Sequence, residues 1–283
     1  MARSTELFEL EDGFPDWISK SDQKVMESSI DKIEANVTVS KDGSGNYTTI
    51  NEAAQFAPTM SYYRYVIHVR AGGYEEAVQI DENKHNLMLI GDGMDKTIIT
   101  GESQLTNGDY FIAQDLCIQN TAGPENYQAV ALRVSSDRTV IHRCKIIAFQ
   151  DTHYAHANRQ FYKDCYISGT VDFIFGDSTT VLQGCTLAPR KPMEGQKNML
   201  TAQGRTDPNQ NTGISIQFCT IIPTDDLEPV KHLYPTFLGR PWKNLSRTVV
   251  MKSNIGDIID PADWFECDGD LNLNTCYYGE YKN

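Results

Sequence analysis

The chain has no apolar run approaching the length needed to cross a bilayer and no low-complexity tract. Its first residues lack a basic stretch followed by an apolar one, so no export leader is expected. No Cys-x-x-Cys pair occurs, which removes the common zinc spacings, and no metal or organic cofactor is called for. Positive charge is scarce: 25 Lys and Arg stand against 38 Asp and Glu, a formal net charge of −13. That balance argues against nucleic acid and anionic membranes as partners. No Gly-x-Ser-x-Gly is found, so His153 and His156, close to Asp151, are read as surface or supporting residues rather than as members of a serine triad. Helical periodicity is almost missing after about residue 60.

What the 283 residues do contain is a recurrence. Cys117, Cys144, Cys165, Cys185 and Cys219 sit in similar short contexts, each followed within two residues by Ile or Leu. Their spacings are 27, 21, 20 and 34 residues, and short β-type runs recur between turns rich in Gly, Asn and Asp. A period near 20 with one or more strands per repeat predicts a solenoid whose cysteines form an inward ladder. An ordinary β-sandwich with coincidental spacing is the alternative. The best helix candidate, Thr48 to Pro58, is suited to capping the open end of the coil. Residues 1–34 are read as a lead-in segment and 35–283 as the folded domain. Seven cysteines are an odd number, and Asn36, Asn46 and Asn244 head glycosylation sequons that matter only in a secreted protein.

Asp172 stands in the apolar run Gly169–Thr170–Val171–Asp172–Phe173–Ile174–Phe175, where a lone ionised carboxylate would be costly to desolvate. Asp151 precedes it by 21 residues, one period of the repeat; Gln150 precedes it by 22, and Gln128 precedes Gln150 by another 22. In a parallel coil these four converge on one face, about 4.8 Å apart from turn to turn. Two such carboxylates split into an acid and a base or nucleophile, and the amides can donate to an oxyanion. These parts suit ester chemistry and glycoside hydrolysis alike, and the residues alone leave the two open.

The blocks KDGSGNYTTINEA, LIGDGMDKTIITG, RCKIIAFQDTHY, GTVDFIFGD, TAQGRTDPNQNTGI and FLGRPWKNLSRTVVM resemble the plant pectin methylesterases (pectinesterases), and the likeness runs over residues 13–283. It implies an all-β fold, a right-handed parallel β-helix, in a secreted, monomeric cell-wall enzyme that removes methyl esters from homogalacturonan. It also implies Asp172 as nucleophile, Asp151 as acid and then base, Gln150 and Gln128 as oxyanion donors, Arg240 as the partner of Asp172 and Trp242 as a sugar platform. A Cys165–Cys185 disulfide and a proteinaceous inhibitor as partner follow from the same likeness; free thiols are the alternative if the chain stays in the cytosol. A guanidinium beside one of two close carboxylates would keep that one ionised, in agreement with this division of labour.

The chain departs from the family's pattern where it passes directly from Gly108 to Asp109, which removes a strand-and-turn segment near Gln128; no role is carried over to Thr106. It ends at YYGEYKN, short of the terminal segment expected of relatives. Three readings therefore stand: an active esterase, which leads, a degenerate pectin-binding β-helix, and a β-helix lyase or glycosidase. The acidic balance adds an expectation of preference for highly methylated pectin, with relief by moderate salt.

Overall fold

The computed structural model describes residues 13–101, 104–267, 269 and 273–283. The predicted coil is there. Among the described residues, successive strands pair in parallel in three long sheets, one of ten strands and two of seven, and the chain visits the three in turn. One full rung runs through Thr139–His142, Lys145–Ile147 and His153–Ala155, and the next through Arg159–Lys163, Tyr166–Gly169 and Ile174–Gly176. This is a parallel β-helix.

The interior is built from stacked rows. Ile118, Ile146, Ile167, Leu187 and Ile221 occupy one register position on five successive rungs, all buried. β-branched and Leu side chains suit such a row because each packs on its copy one rung away. Two residues earlier lies the cysteine ladder, with one correction. Cys117 pairs with Lys145, not with Cys144, so Leu116 fills the first rung and the ladder proper is Cys144, Cys165, Cys185 and Cys219. The reason is a repeated corner. Asp115, Arg143, Asp164 and Phe218 each adopt a left-handed backbone (φ 48 to 55°), joined by Gly184 at 64°. The ladder residue is the one that follows this corner, and after Asp115 that residue is Leu116.

Cys165 and Cys185 are free buried thiols, so the disulfide implied by the family likeness is not present in the structure. Each sulfur instead donates to a backbone carbonyl, Cys165 to that of Ile141 at 3.3 Å and Cys185 to that of Gln183 at 3.5 Å.

The capping helix is α2, Ile50–Phe56. Thr49 caps it by accepting from the Glu52 amide, the Glu76 carboxylate accepts from the Ile50 and Asn51 amides at 2.8 and 3.0 Å, and Ile50, Ala53 and Ala54 close over the core. A second helix, α1 (Lys20–Glu27), was not expected from the sequence. It lies in the segment read as a lead-in, of which residues 1–12 fall outside the described residues. Phe14, Ile18 and Met26 from this segment cover the outward face of the ten-stranded sheet over Met88, Ile90, Ile112, Val140 and Phe161. That explains why Leu87–Gly91 is buried on both faces.

The direct passage from Gly108 to Asp109 does not break the coil: Gln104–Thr106 pairs with Gln79–Ile80 before it and Leu132–Val134 after it. Thr106 is buried, with its hydroxyl on that of Ser136 at 3.2 Å. Its hydroxyl thus serves the interior.

Candidate active site

The turns that enter the third sheet carry the two carboxylates. Residues 148–151 (Ala-Phe-Gln-Asp) and 169–172 (Gly-Thr-Val-Asp) stack one rung apart, since His153 pairs with Ile174 and the Asp151 amide donates to the Val171 carbonyl at 3.0 Å. Both aspartates adopt left-handed backbone, φ 61° at Asp151 and 50° at Asp172. Such conformations in non-glycine residues persist where the surroundings over-determine them. Here Thr152 does so, its hydroxyl donating to the carbonyls of Phe149 and Ser168, both at 3.0 Å. Gly169 is required for close approach: a Cβ there would lie 2.3 Å from the Thr152 hydroxyl oxygen and from the Phe173 Cβ.

Asp172 has the company its sequence position demanded. Arg240, on the strand Thr236–Pro241, donates from Nε to Oδ1 at 2.8 Å and from Nη2 to Oδ2 at 2.6 Å. Ala202, the residue between Phe175 and Arg240 in the same row, carries only a methyl, which leaves the guanidinium room to reach back. Such a fork fixes geometry as well as charge.

The two carboxylates differ electrostatically. Asp151 is 9% exposed, and burial, reinforced by the Asp172 charge and opposed by Arg240, pushes its pKa up to about 7. Burial raises the Asp172 carboxyl as well, but the Arg240 fork acts directly against that rise. Asp172 is therefore the one that ionises first, leaving Asp151 protonated into the neutral range.

Gln128 and Gln150 meet across an isolated parallel bridge, so the spacing of 22 residues was also one rung. Among the described residues neither side-chain amide is engaged in a hydrogen bond, so both are free to donate. The position of the second turn equivalent to Gln150 is Val171, so the paired amides belong to the rungs of Gln128 and Gln150 alone.

Aromatic side chains continue this face. Tyr154 and Phe175 stack at 4.4 Å with 9° between their planes, and Phe175 meets Trp242 edge-on at 5.9 Å. Trp242 is 40% exposed and lies over Gly204, where a Cβ would stand 2.7 Å from the indole. An open cavity of about 600 Å³, bounded by Tyr154, His156, Asp177, Trp242 and Lys243, extends from this strip, and neither catalytic candidate carboxylate lines it. The sequence could not sort the aromatics of this region. Phe173 is core, whereas Phe149 lies under the Arg190 guanidinium, 3.9 Å from carbon to ring centroid.

His153 is neither a surface residue nor a neighbour of the carboxylates' open side. It points inward, is fully buried against Tyr162, and has Nδ1 at 3.2 Å from the Leu132 carbonyl and, among the described residues, no partner for Nε2. Burial depresses its pKa to about 4. His156 is half-buried with Nδ1 at 3.0 Å from the Ser135 hydroxyl.

A family model for pectinesterases matches residues 36–283. The chain is 55% identical over 282 residues to pectinesterase 2.2 of Solanum lycopersicum, covering 95% of this chain and 51% of that protein. It is 56% identical over 285 residues to pectinesterase/pectinesterase inhibitor 18 of Arabidopsis thaliana, covering 95% and 51%. The chain spans about half the length of these curated relatives. Among solved structures it is similar to a pectin methylesterase from carrot, with a TM-score of 0.88 and 52% identity over 91% of this chain and 84% of that one.

Proposed function

The chain belongs to the pectinesterase family, and from that premise we propose that it hydrolyses the methyl esters of homogalacturonan in pectin, yielding pectate and methanol. One observation carries the assignment of roles: of two stacked carboxylates, Arg240 grips only Asp172.

Asp172, ionised, attacks the carbonyl carbon of the galacturonate methyl ester. Negative charge moves to the carbonyl oxygen, where the Gln150 and Gln128 amides donate to it. As the carbonyl re-forms, the bond to the methoxy oxygen breaks and Asp151 delivers its proton to that oxygen, releasing methanol. The product on the protein is a mixed anhydride between Asp172 and the uronate. Asp151, now a carboxylate, takes a proton from a water that attacks the anhydride. Its cleavage frees the uronic acid, which loses its proton to solvent, and restores Asp172 as a carboxylate and Asp151 as an acid. Trp242 offers its open indole face to a sugar ring. Pectin as substrate makes the plant cell wall the place of action, and the relative whose name joins pectinesterase with pectinesterase inhibitor supports a proteinaceous inhibitor as a partner.

Methanol release from highly methylated pectin, measured beside viscosity, tests this. Methanol with viscosity held is the expected result. Falling viscosity would indicate a lyase or glycosidase, and no methanol from folded protein would indicate a binding module; either result sinks the proposal.

A further inference from the structure

We propose that Arg190 is a positioning residue that clamps the two aspartate-bearing turns together and sets Gln150 for the reaction; this rests on the esterase reading above. Arg190 directly follows the strand Thr186–Pro189, and its amide donates to the Gly169 carbonyl at 2.8 Å. By register, Ala148 stacks on Gly169 and Gly169 on Pro189, so Arg190 continues the line of Phe149 and Thr170. Its side chain does not stay on its own rung. It reaches back past the Thr170 rung to the Phe149 rung, where Nη1 donates to the Ala148 carbonyl at 2.9 Å and the guanidinium carbon lies over the Phe149 ring, 3.9 Å from its centroid.

One residue thus ties three rungs, including both that carry a carboxylate. Its own backbone is fixed from the other side, since the fully buried Asn198 donates from Nδ2 to the Arg190 carbonyl at 3.0 Å. The segment it holds is the one whose geometry matters most. Phe149 is bonded to Gln150, and Asp151 follows in left-handed backbone. The Phe149 carbonyl is already engaged, accepting from the Thr170 amide at 2.8 Å and the Thr152 hydroxyl at 3.0 Å. With the carbonyl fixed and the ring pinned, the peptide leading to Gln150 has little freedom to rotate. Half-buried and stacked on an aromatic, Arg190 meets the turn through hydrogen bond and ring contact, a combination that lysine cannot reproduce because it lacks the planar fork. A displaced oxyanion donor weakens transition-state binding while leaving the sugar contacts around Trp242 in place.

The test is methanol-release kinetics of Arg190→Met and Arg190→Lys, each alone and combined with Gln150→Ala, with amide hydrogen exchange of the folded proteins. For Arg190→Met, kcat is expected to fall about 10- to 100-fold with KM within about twofold. In the Gln150→Ala background the same change should lower kcat by less than about threefold, because the residue acts through the missing amide. Exchange at residues 148–152 should accelerate in both variants, with Arg190→Lys, the milder change, serving if Arg190→Met does not fold. An unchanged kcat, a raised KM at constant kcat, or equal losses in both backgrounds would overturn the proposal. If the unmutated protein releases no methanol, the esterase reading fails, and unaltered exchange at residues 148–152 would then separately refute the clamp.

Discussion

Replacing Asp151 by asparagine should make the protein more stable, and by an amount that depends on pH. The folded protein holds the Asp151 carboxyl at about 7, against an ordinary value of 3.8. Its cause is burial first and the Asp172 charge second. A folded pKa above the unfolded one means the folded state keeps a proton the unfolded chain has released. Stability therefore falls as pH rises through the interval from about 4 to about 7, and the loss is complete above it. At about pH 4.5 the penalty is about 1 kcal/mol; at about pH 8 it reaches about 4 kcal/mol. Asparagine has nearly the same shape and never ionises, so the variant escapes the penalty. Urea unfolding of both proteins at the two pH values is the assay. The Asp151→Asn variant should gain about 3 kcal/mol more over the unmutated protein at the higher pH than at the lower. Groups common to both proteins cancel in that difference. A gain that stays flat within about 0.5 kcal/mol would show that Asp151 titrates normally, and its assignment as the acid would lose its physical basis.

Other expectations follow from the same geometry. Arg240→Met strips the fork from Asp172 and leaves a half-buried carboxylate without its ion pair, so stability should drop by about 2–3 kcal/mol at neutral pH; the acid limb of the activity profile should also move up, because an unpaired Asp172 ionises later. Trp242→Ala should raise KM about tenfold with kcat nearly kept, read from methanol-release kinetics. His153 is held neutral by burial with its pKa lowered to about 4 from 6.5, so its contribution is present above about pH 6.5 and is lost as pH falls through about 4. His153→Phe should flatten that part of the acid unfolding curve. Met26→Ala, on the buried face of α1 over the ten-stranded sheet, should remove about 2–5 kcal/mol of stability in urea unfolding with kcat unchanged. Finally, the net charge of −13 should disfavour anionic, sparsely methylated pectin, so moderate salt should raise methanol release from low-methyl pectin.

Much of this arrangement was legible because the coil converts sequence separation into distance. A period of 21 put Asp151 beside Asp172, and 22 put Gln128 beside Gln150. What the period could not reveal are contacts made by long side chains reaching across rungs. Arg240 lies 68 residues from Asp172, beyond two long excursions, and only the likeness to a family pointed to it. Arg190 has no motif at all, since its partners are a backbone carbonyl and a ring. His153 was misplaced because alternation begins only at the strand: Asp151 sits in a corner, and two residues on the side chain already faces the core. Cys117 misled for a related reason, as the corner at Asp115 hands the ladder position to Leu116. The helix α1 offers a single fully buried residue, Met26, too little periodicity to announce itself.

The division of labour between the two aspartates is tested most directly by methanol release from highly methylated pectin by Asp172→Asn, beside the unmutated protein and with folding checked by circular dichroism. With the nucleophile gone and the fold kept, the rate should fall by at least about a thousandfold. A folded Asp172→Asn protein that retains more than about a tenth of the activity would contradict the assignment, and with it the reading of Arg240 as the group that keeps the attacking carboxylate ionised.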